Sequence, residues 1–414
     1  MRNLVVHARN IGFVKYFFLT QIAMPLALCV LSCSDSSTGP GKSPDGPDTS
    51  YCTLTPLPAP IGQVATVSTA TELEIAVSVA NTSGHLTIIL TDGTYTLTDP
   101  LYISGDSVAI RSQSGNRDGV FIRGDGMDGS ISSLFMIAGK NITLADITLG
   151  QVAGNALHLL SDADNCLIHN VRFVDTKEQM LKVSAGSSGD TYTDNGTVEW
   201  CLFEYSAGVG PQEYIGGIFA HEANNWSVHH NIFEDIRAPG SAVGGYAVHF
   251  WNDSANTTVE HNVITDCDRG IGFGLGGNPH ERGSISNNMV HTTKDVGISL
   301  QFSSYTSVYN NTLYTENYVN SIEYRYLETQ YLSIINNLAN ALVTARDGAT
   351  GVVESNVTNA QASWFIDAGA GDLHLAMAYS AVVDQGQSLF IVPMDIDCEV
   401  RPKGDGYDIG ADEF

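Results

Sequence analysis

The stretches VHHNIF (228–233), VEHNVI (259–264), ISNNMV (285–290), VYNNTL (308–313) and IINNLA (334–339) repeat one short pattern, an apolar residue, two variable residues, Asn and a further apolar alternation. Working outward, TLADIT (143–148), LIHNVRF (167–173), VEWCLF (198–203) and VESNVT (353–358) extend the series. The fourth position then reads Asp146, Asn170, Cys201, Asn231, Asn262, Asn288, Asn311, Asn337 and Asn356, at intervals between 19 and 31 residues. Periods of this size belong to solenoids, propellers or arrays. Here the interval varies while the apolar alternation persists, which suits a coil whose loops accept insertions. Asn beside a strand tolerates left-handed backbone and hydrogen-bonds across a turn, so stacked coils place its amides in a ladder. No unit sustains an i, i+3, i+4 pattern, and propeller blades need four strands in about 40 residues. The expected class is all-β, a parallel β-helix.

Composition agrees. In 414 residues there are 41 Gly, and charged residues make up only 15%, with 19 Lys+Arg against 45 Asp+Glu and a net charge of −26. An apolar fraction of 43% supports a substantial core. The acidic balance leaves no general means of holding a nucleic-acid backbone, so nucleic acid is excluded as a partner. A monomer is expected.

Arg2, Arg9 and Lys15 precede an apolar stretch from Tyr16 to Leu31, the layout of an export signal. It closes on Val30-Leu31-Ser32-Cys33, which resembles a lipobox with Cys33 as the lipid-bearing residue. Ser34 follows, and with no Asp there the expected address is the outer membrane of a Gram-negative cell envelope, with membrane contact through the lipid alone. The organisation is thus signal 1–32, flexible tether 33–60 rich in Gly, Pro and Ser, and coil domain 61–414. Removing 1–32 takes three positive and no negative charges and leaves −29. Cys52, Cys166, Cys201, Cys267 and Cys398 then remain, an odd number with no CxxC pair, which points to small buried thiols stacked in a core.

Thr71 to Val77 reads as a short helix capping the first coil, where an open parallel stack would expose a strand edge. With LTIILTDGTYTLTDPLYI (86–103) at the start and DIGADEF (408–414) at the end, the chain resembles the exported right-handed β-helix proteins of the pectate-lyase-like superfamily. The resemblance covers about residues 64–414 and specifies architecture more than reaction. The right hand is implied by it and by the preferred hand of parallel crossovers.

After each Asn turn comes a second strand-like run: ALHLL, MLKVS, GIFAHE, YAVHFW, GIGFG, GISLQ and SIEYRY. With the aliphatic residues inward, the outward set is His158, Lys182, Phe219 with His221, His249 with Trp251, Gly272, Ser299, and Glu323 with Arg325. Coils stack about 4.8 Å apart, so these become a row of neighbours, the alternative being a solvated face. Gly272 and Gly274 leave a trough for a polymer. Arg237 and Arg269 carry forks that match a sugar carboxylate, or brace turns through Asp235 or Asp268. Asp175, Glu204, Asp235 and Asp266 follow their ladder positions closely; as a carboxylate row they point to calcium, and otherwise to solvated turns.

From the resemblance and this row the expected function is a polysaccharide lyase acting on an acidic, uronic-acid-containing polymer. Lys182 is the expected base, Arg269 or calcium the carboxylate neutraliser, and His249 or His221 the acid. His158, Arg237, Trp251, Glu323 and Arg325 are the expected substrate contacts. A C5 epimerase shares the proton abstraction, and a non-catalytic glycan-binding surface protein is the alternative of a different class. A glycoside hydrolase lacks its carboxylate pair here.

Overall fold

The computed structural model describes residues 52–184 and 192–414, which lie in one compact unit, Pro47–Phe414. The expected signal segment, Cys33 and the tether up to residue 51 lie outside the described residues. Ten coils each contribute one strand to each of three stacked sheets, and one further strand at either end brings the first sheet to twelve against ten and ten. The twelve-stranded sheet runs from Gln63–Val67 to Gly351–Glu354, the second from Gly93–Thr96 to Leu338–Ala339, and the third from Leu101–Ile103 to Leu342–Arg346. Neighbouring strands are parallel and in register, as in Ile168↔Val198, Phe173↔Phe203 and Leu181↔Ile218.

Alternation decides what enters the coil. In the third sheet Leu157, Leu181, Ile218, Val248, Ile271, Ile298 and Ile322 stack inward at 0% exposure, with each side chain contributing about 1.5–3 kcal/mol of apolar burial. In the second sheet the rings of Phe173, Phe203 and Phe233 stack 4.5 and 4.6 Å apart. Cys166, Cys201 and Cys267 are free and buried, as expected.

The capping helix spans Ala70–Ser83, longer than the run expected from sequence. Thr69 caps it through a bond from the Glu72 backbone N–H, and the Glu72 carboxylate accepts from Ser68 N–H in return. Leu73, Ala76, Val77 and Ala80 cover the first coil.

The ladder stands between the twelve-stranded and second sheets. Cys201 N–H donates to Asn231 Oδ1, and the same bond repeats from Asn231 to Asn262, Asn288, Asn311, Asn337 and Asn356 at 2.8–3.1 Å. Asp146 and Asn170 do not belong to it. Register pairs Ile168 with Val198, so Val171 occupies the ladder level and donates to Cys201 Sγ. Asn170 falls one place earlier, in an outward column of left-handed residues with Asp146, Trp200, His230, His261, Asn287, Asn310 and Asn336. A shift of one residue exchanges inward and outward positions, and the V-x-x-N pattern does not distinguish the two.

The end of the chain folds back on that outward column. Asn287 donates to Met394 O, Asn310 to Asp408 O and Gly410 O, and Asn336 to Gln387 O. Arg401 and Glu413 pair at 0% side-chain exposure inside this cap. Cys52 and Cys398 form a disulfide, so two of the five cysteines expected as core thiols instead join the start of the described chain to its cap. Arg111 bonds Leu57 O and Pro58 O, which pins the last part of the expected tether, 52–60, to the coils.

Candidate functional site

The outward row assembles in the third sheet as the alternation predicts. Register pairs His158 with Lys182, Lys182 with Phe219, Phe219 with His249, His249 with Gly272, Gly272 with Ser299 and Ser299 with Glu323. His221 pairs with Trp251, and Gln301 with Arg325, two places along. Strand after strand, the aliphatic residues flanking these positions are buried, which forces the polar ones out.

Lys182 lies between two imidazoles. Burial first, and then the Lys182 charge, lowers His158 and His221 to about 4, so both rings are neutral near pH 7. His158 Nε2 is 2.5 Å from Ser184 Oγ. Phe219 packs against His221 and Trp251 at 5.0 and 5.6 Å between ring centres, and His221 stands edge-on to Trp251 at 4.6 Å. His221 Nε2 and Trp251 Nε1 are buried with no hydrogen-bond partner among the described residues.

Further along the row the side chains turn to one another. His249 is 2% exposed, boxed by Phe219, Tyr246 and Trp251, and burial lowers it to about 3. That places the expected acid out of reach of a polymer lying on the sheet. The trough expected at Gly272 is filled, because a Cβ there would stand 3.0 Å from the Tyr246 ring and 3.0 Å from His249. Gly274 is left-handed and presses against Gln301 O, so its missing side chain serves a turn. Glu323 is 4% exposed and bonded to Tyr318, Asn320 and Arg346.

The arginines are committed to carboxylates. Arg269 lies over the Tyr246 ring and bonds Asp295 at 2.7 Å. It begins its strand three coils beyond Lys182 and three residues out of column, which separates the two backbones by roughly 17 Å at ordinary strand spacings. The structure therefore does not bring the expected neutraliser to the expected base. Arg237 bonds Asp235 at 2.9 Å and Gly208 O at 2.6 Å, the turn-bracing alternative, and Arg325 bonds Asp347 at 2.8 Å.

The four expected calcium ligands do not converge. Asp235 and Asp266 both face Arg237, at 2.9 and 3.8 Å, Glu204 pairs with Arg172, and Asp175 accepts from Ser206 N and Oγ. Burial raises Asp235, Arg237 works against that rise, and the nearby Asp266 and Glu204 carboxylates add to it. These carboxylates are thus paired with arginine and serine and are not arranged around one point.

A second concavity, missed in the sequence, lies on the outward column beneath the terminal cap. This cavity of about 500 Å³ is lined by Arg117, Asn170, Trp200, His230, His261 and His374, among others. Trp200, His230 and His261 stack 4.4 and 5.0 Å apart. Behind them Glu199 bridges His169 and His229 at 2.7 and 3.3 Å. His374 bonds Asp397 and Asp372, and these bonds raise it to about 9 despite burial, so it is a cation near pH 7. The signal available in the sequence was the residue before each ladder Asn, His in both VHHNIF and VEHNVI.

The family model described as "Periplasmic copper-binding protein (NosD)" matches residues 211–344, just under a third of the chain. None of the curated proteins matches the chain in sequence. Among solved structures it is similar to pectate lyase Pel9A (TM-score 0.48, 13% identity, 81% of this chain and 90% of that one). It is also similar to an alginate lyase from Paenibacillus sp. str. FPU-7 (TM-score 0.43, 11% identity, 70% and 99%). A third is the Azotobacter vinelandii mannuronan C-5 epimerase AlgE6 A-module (TM-score 0.41, 13% identity, 70% and 86%). Three stacked parallel sheets and an inward asparagine ladder make the chain a parallel β-helix protein, similar over residues 211–344 to the NosD family.

Proposed function

We propose that this is an exported, carbohydrate-active protein, held in the cell envelope through Cys33, that eliminates across a uronic-acid-containing polysaccharide with Lys182 as base. The observation that carries the reading is Lys182 itself. Arg269, Arg325 and Arg346 on the same sheet are all ion-paired, whereas Lys182 has no carboxylate partner among the described residues. It stands in a rigid strand between two neutral imidazoles. The amine removes the proton beside the uronate carboxyl, the electron pair moves to form the double bond, and the ammonium returns the proton to the departing oxygen. His158 and His221, neutral near pH 7 and so unable to serve as the expected acid, would position sugar hydroxyls, and Trp251 and Phe219 would supply an apolar platform. A C5 epimerase would use the same abstraction and return the proton to carbon on the opposite face.

One observation favours the second reading, a glycan-binding surface without turnover: the cation nearest in role, Arg269, is committed to Asp295. Incubation with alginate, pectate and glycosaminoglycans, followed by ultraviolet absorbance of unsaturated uronate, separates the readings. Lys182→Ala and Lys182→Arg should both abolish turnover with substrate binding largely kept, since a guanidinium stays protonated. Full activity in Lys182→Ala on an accepted substrate would reject the base, and binding by the wild type with neither unsaturated product nor a change of uronate C5 configuration would select the glycan-binding reading. Lipid-precursor labelling that Cys33→Ala abolishes tests the anchor.

A further inference from the structure

We propose that Cys52, Cys398 and His230 form, once the disulfide is reduced, a site for a soft d¹⁰ cation, zinc(II) or copper(I), with Met394 as a fourth neighbour. The three ligand atoms lie within 4.8 Å of one another in the oxidised form, where the two sulfurs are bonded, and on reduction the sulfurs part to the edge of about 3.8 Å that a tetrahedral ion needs. His230 Nε2 faces Cys398 Sγ at 3.8 Å. A tetrahedral ion with legs of about 2.3 Å to sulfur and 2.0–2.1 Å to nitrogen needs a sulfur–nitrogen edge of about 3.6 Å. The Met394 thioether is 4.0 Å from Cys52 Sγ, held by bonds from Asn287 and Arg401 to its carbonyl. Two thiolates, an imidazole and a thioether form a donor set that selects such cations over calcium or magnesium.

The surroundings resemble those of a built metal site. A ligating histidine is usually oriented through its second ring nitrogen. Here His230 Nδ1 is 3.0 Å from His229 Nδ1, and His229 Nε2 is 3.3 Å from Glu199, so a carboxylate ends the chain behind the ligand. His230 also lines the 500 Å³ cavity, which supplies an access route. Cys52 and Cys398 fall outside the segment matched by the family model, so the site rests on the fold-back of the cap. It is independent of the Lys182 row and of the lyase reading.

The chemistry balances through a dithiol reductant. It transfers two electrons and two protons to the sulfur–sulfur bond, giving two thiols here and a disulfide in the reductant. The cation then displaces the thiol protons to solvent. The disulfide and the ion are therefore mutually exclusive, and the redox poise decides which of them ties the chain start to the cap.

The test uses the full chain, oxidised or reduced with a dithiol that is then removed without air. Zinc(II) and copper(I) are titrated in separate arms against chromophoric chelators, and the occupied site is read by X-ray absorption. One equivalent should bind after reduction only, with two or three sulfur neighbours and one nitrogen, and the better-retained cation identifies the ion. Cys52→Ser and Cys398→Ser should each lower affinity at least a hundredfold, and His230→Gln at least tenfold, with melting curves checking that each folds. Equal binding by oxidised and reduced protein, undiminished binding by Cys52→Ser, or a shell of oxygen and nitrogen alone would overturn the proposal. The absorption shell of the wild type decides the matter even where a variant does not fold.

Discussion

Replacing Asn288 by Ala probes the ladder at a fully buried rung. Asn288 is 0% exposed. Its amide donates to Val259 O, Ser286 O and Asn311 Oδ1 at 2.9, 3.0 and 2.9 Å, and its carbonyl oxygen accepts from Asn262 N and Nδ2 at 3.1 and 3.0 Å. Asn262 Nδ2 keeps other acceptors, but the Asn262 backbone N–H is left without its acceptor in an interior that water does not reach. That orphan costs about 1–3 kcal/mol and each further amide bond lost about 0.5–1.5 kcal/mol, so the expected loss is about 3–5 kcal/mol. Asn356 makes the same kinds of bond at the last rung, to Asn337, Ile334 and Glu354, but it is partly exposed. Water replaces the lost partners there, and Asn356→Ala should cost about 1 kcal/mol. Urea midpoints of one spectroscopic transition, compared between the two variants, provide the assay, because a stacked array need not unfold in a single step. Equal shifts would refute the reasoning, showing that burial of the orphaned groups does not set the cost.

Three further outcomes follow from the described contacts. His158, His221, His249 and His280 are held at about 3–4, below the unfolded value near 6.5. The unfolded chain therefore binds more protons, and stability should fall as pH drops from about 6.5 towards 4; a flat urea midpoint across that window would contradict it. His374, raised to about 9 by Asp397 and Asp372, has the opposite sign. Its contribution is complete below about pH 6.5 and lost as pH rises through about 9, and His374→Gln should flatten that alkaline decline. Gly196→Ala should destabilise by about 1–3 kcal/mol, since the new Cβ would stand 2.5 Å from the buried Trp226 ring; an unchanged thermal midpoint would show that the ring can move.

Alternation with a period of two and a constant coil spacing are local properties, and they were legible. His158, Lys182, Phe219, His249, Gly272, Ser299 and Glu323 stand in one register because each is flanked by aliphatic residues that must turn inward. The Asn column from Asn231 to Asn356 follows from the same period, whereas Asp146 and Asn170 slipped because an asparagine suits both the inward rung and the outward left-handed position beside it. What a row position touches is a different kind of fact. Tyr246 fills the space over Gly272, Asp295 claims Arg269, and Arg237 sits between Asp235 and Asp266. These pairings come from side-chain directions in neighbouring coils that no one-dimensional pattern encodes. The Cys52–Cys398 bond spans 346 residues, and with the histidine-lined cavity it exists only because the chain end folds back over the outward column. Local periodicity sets the coil, since each residue meets its own strand neighbours wherever the chain goes. The functional surfaces depended on contacts between distant segments, which only the closed tertiary structure creates.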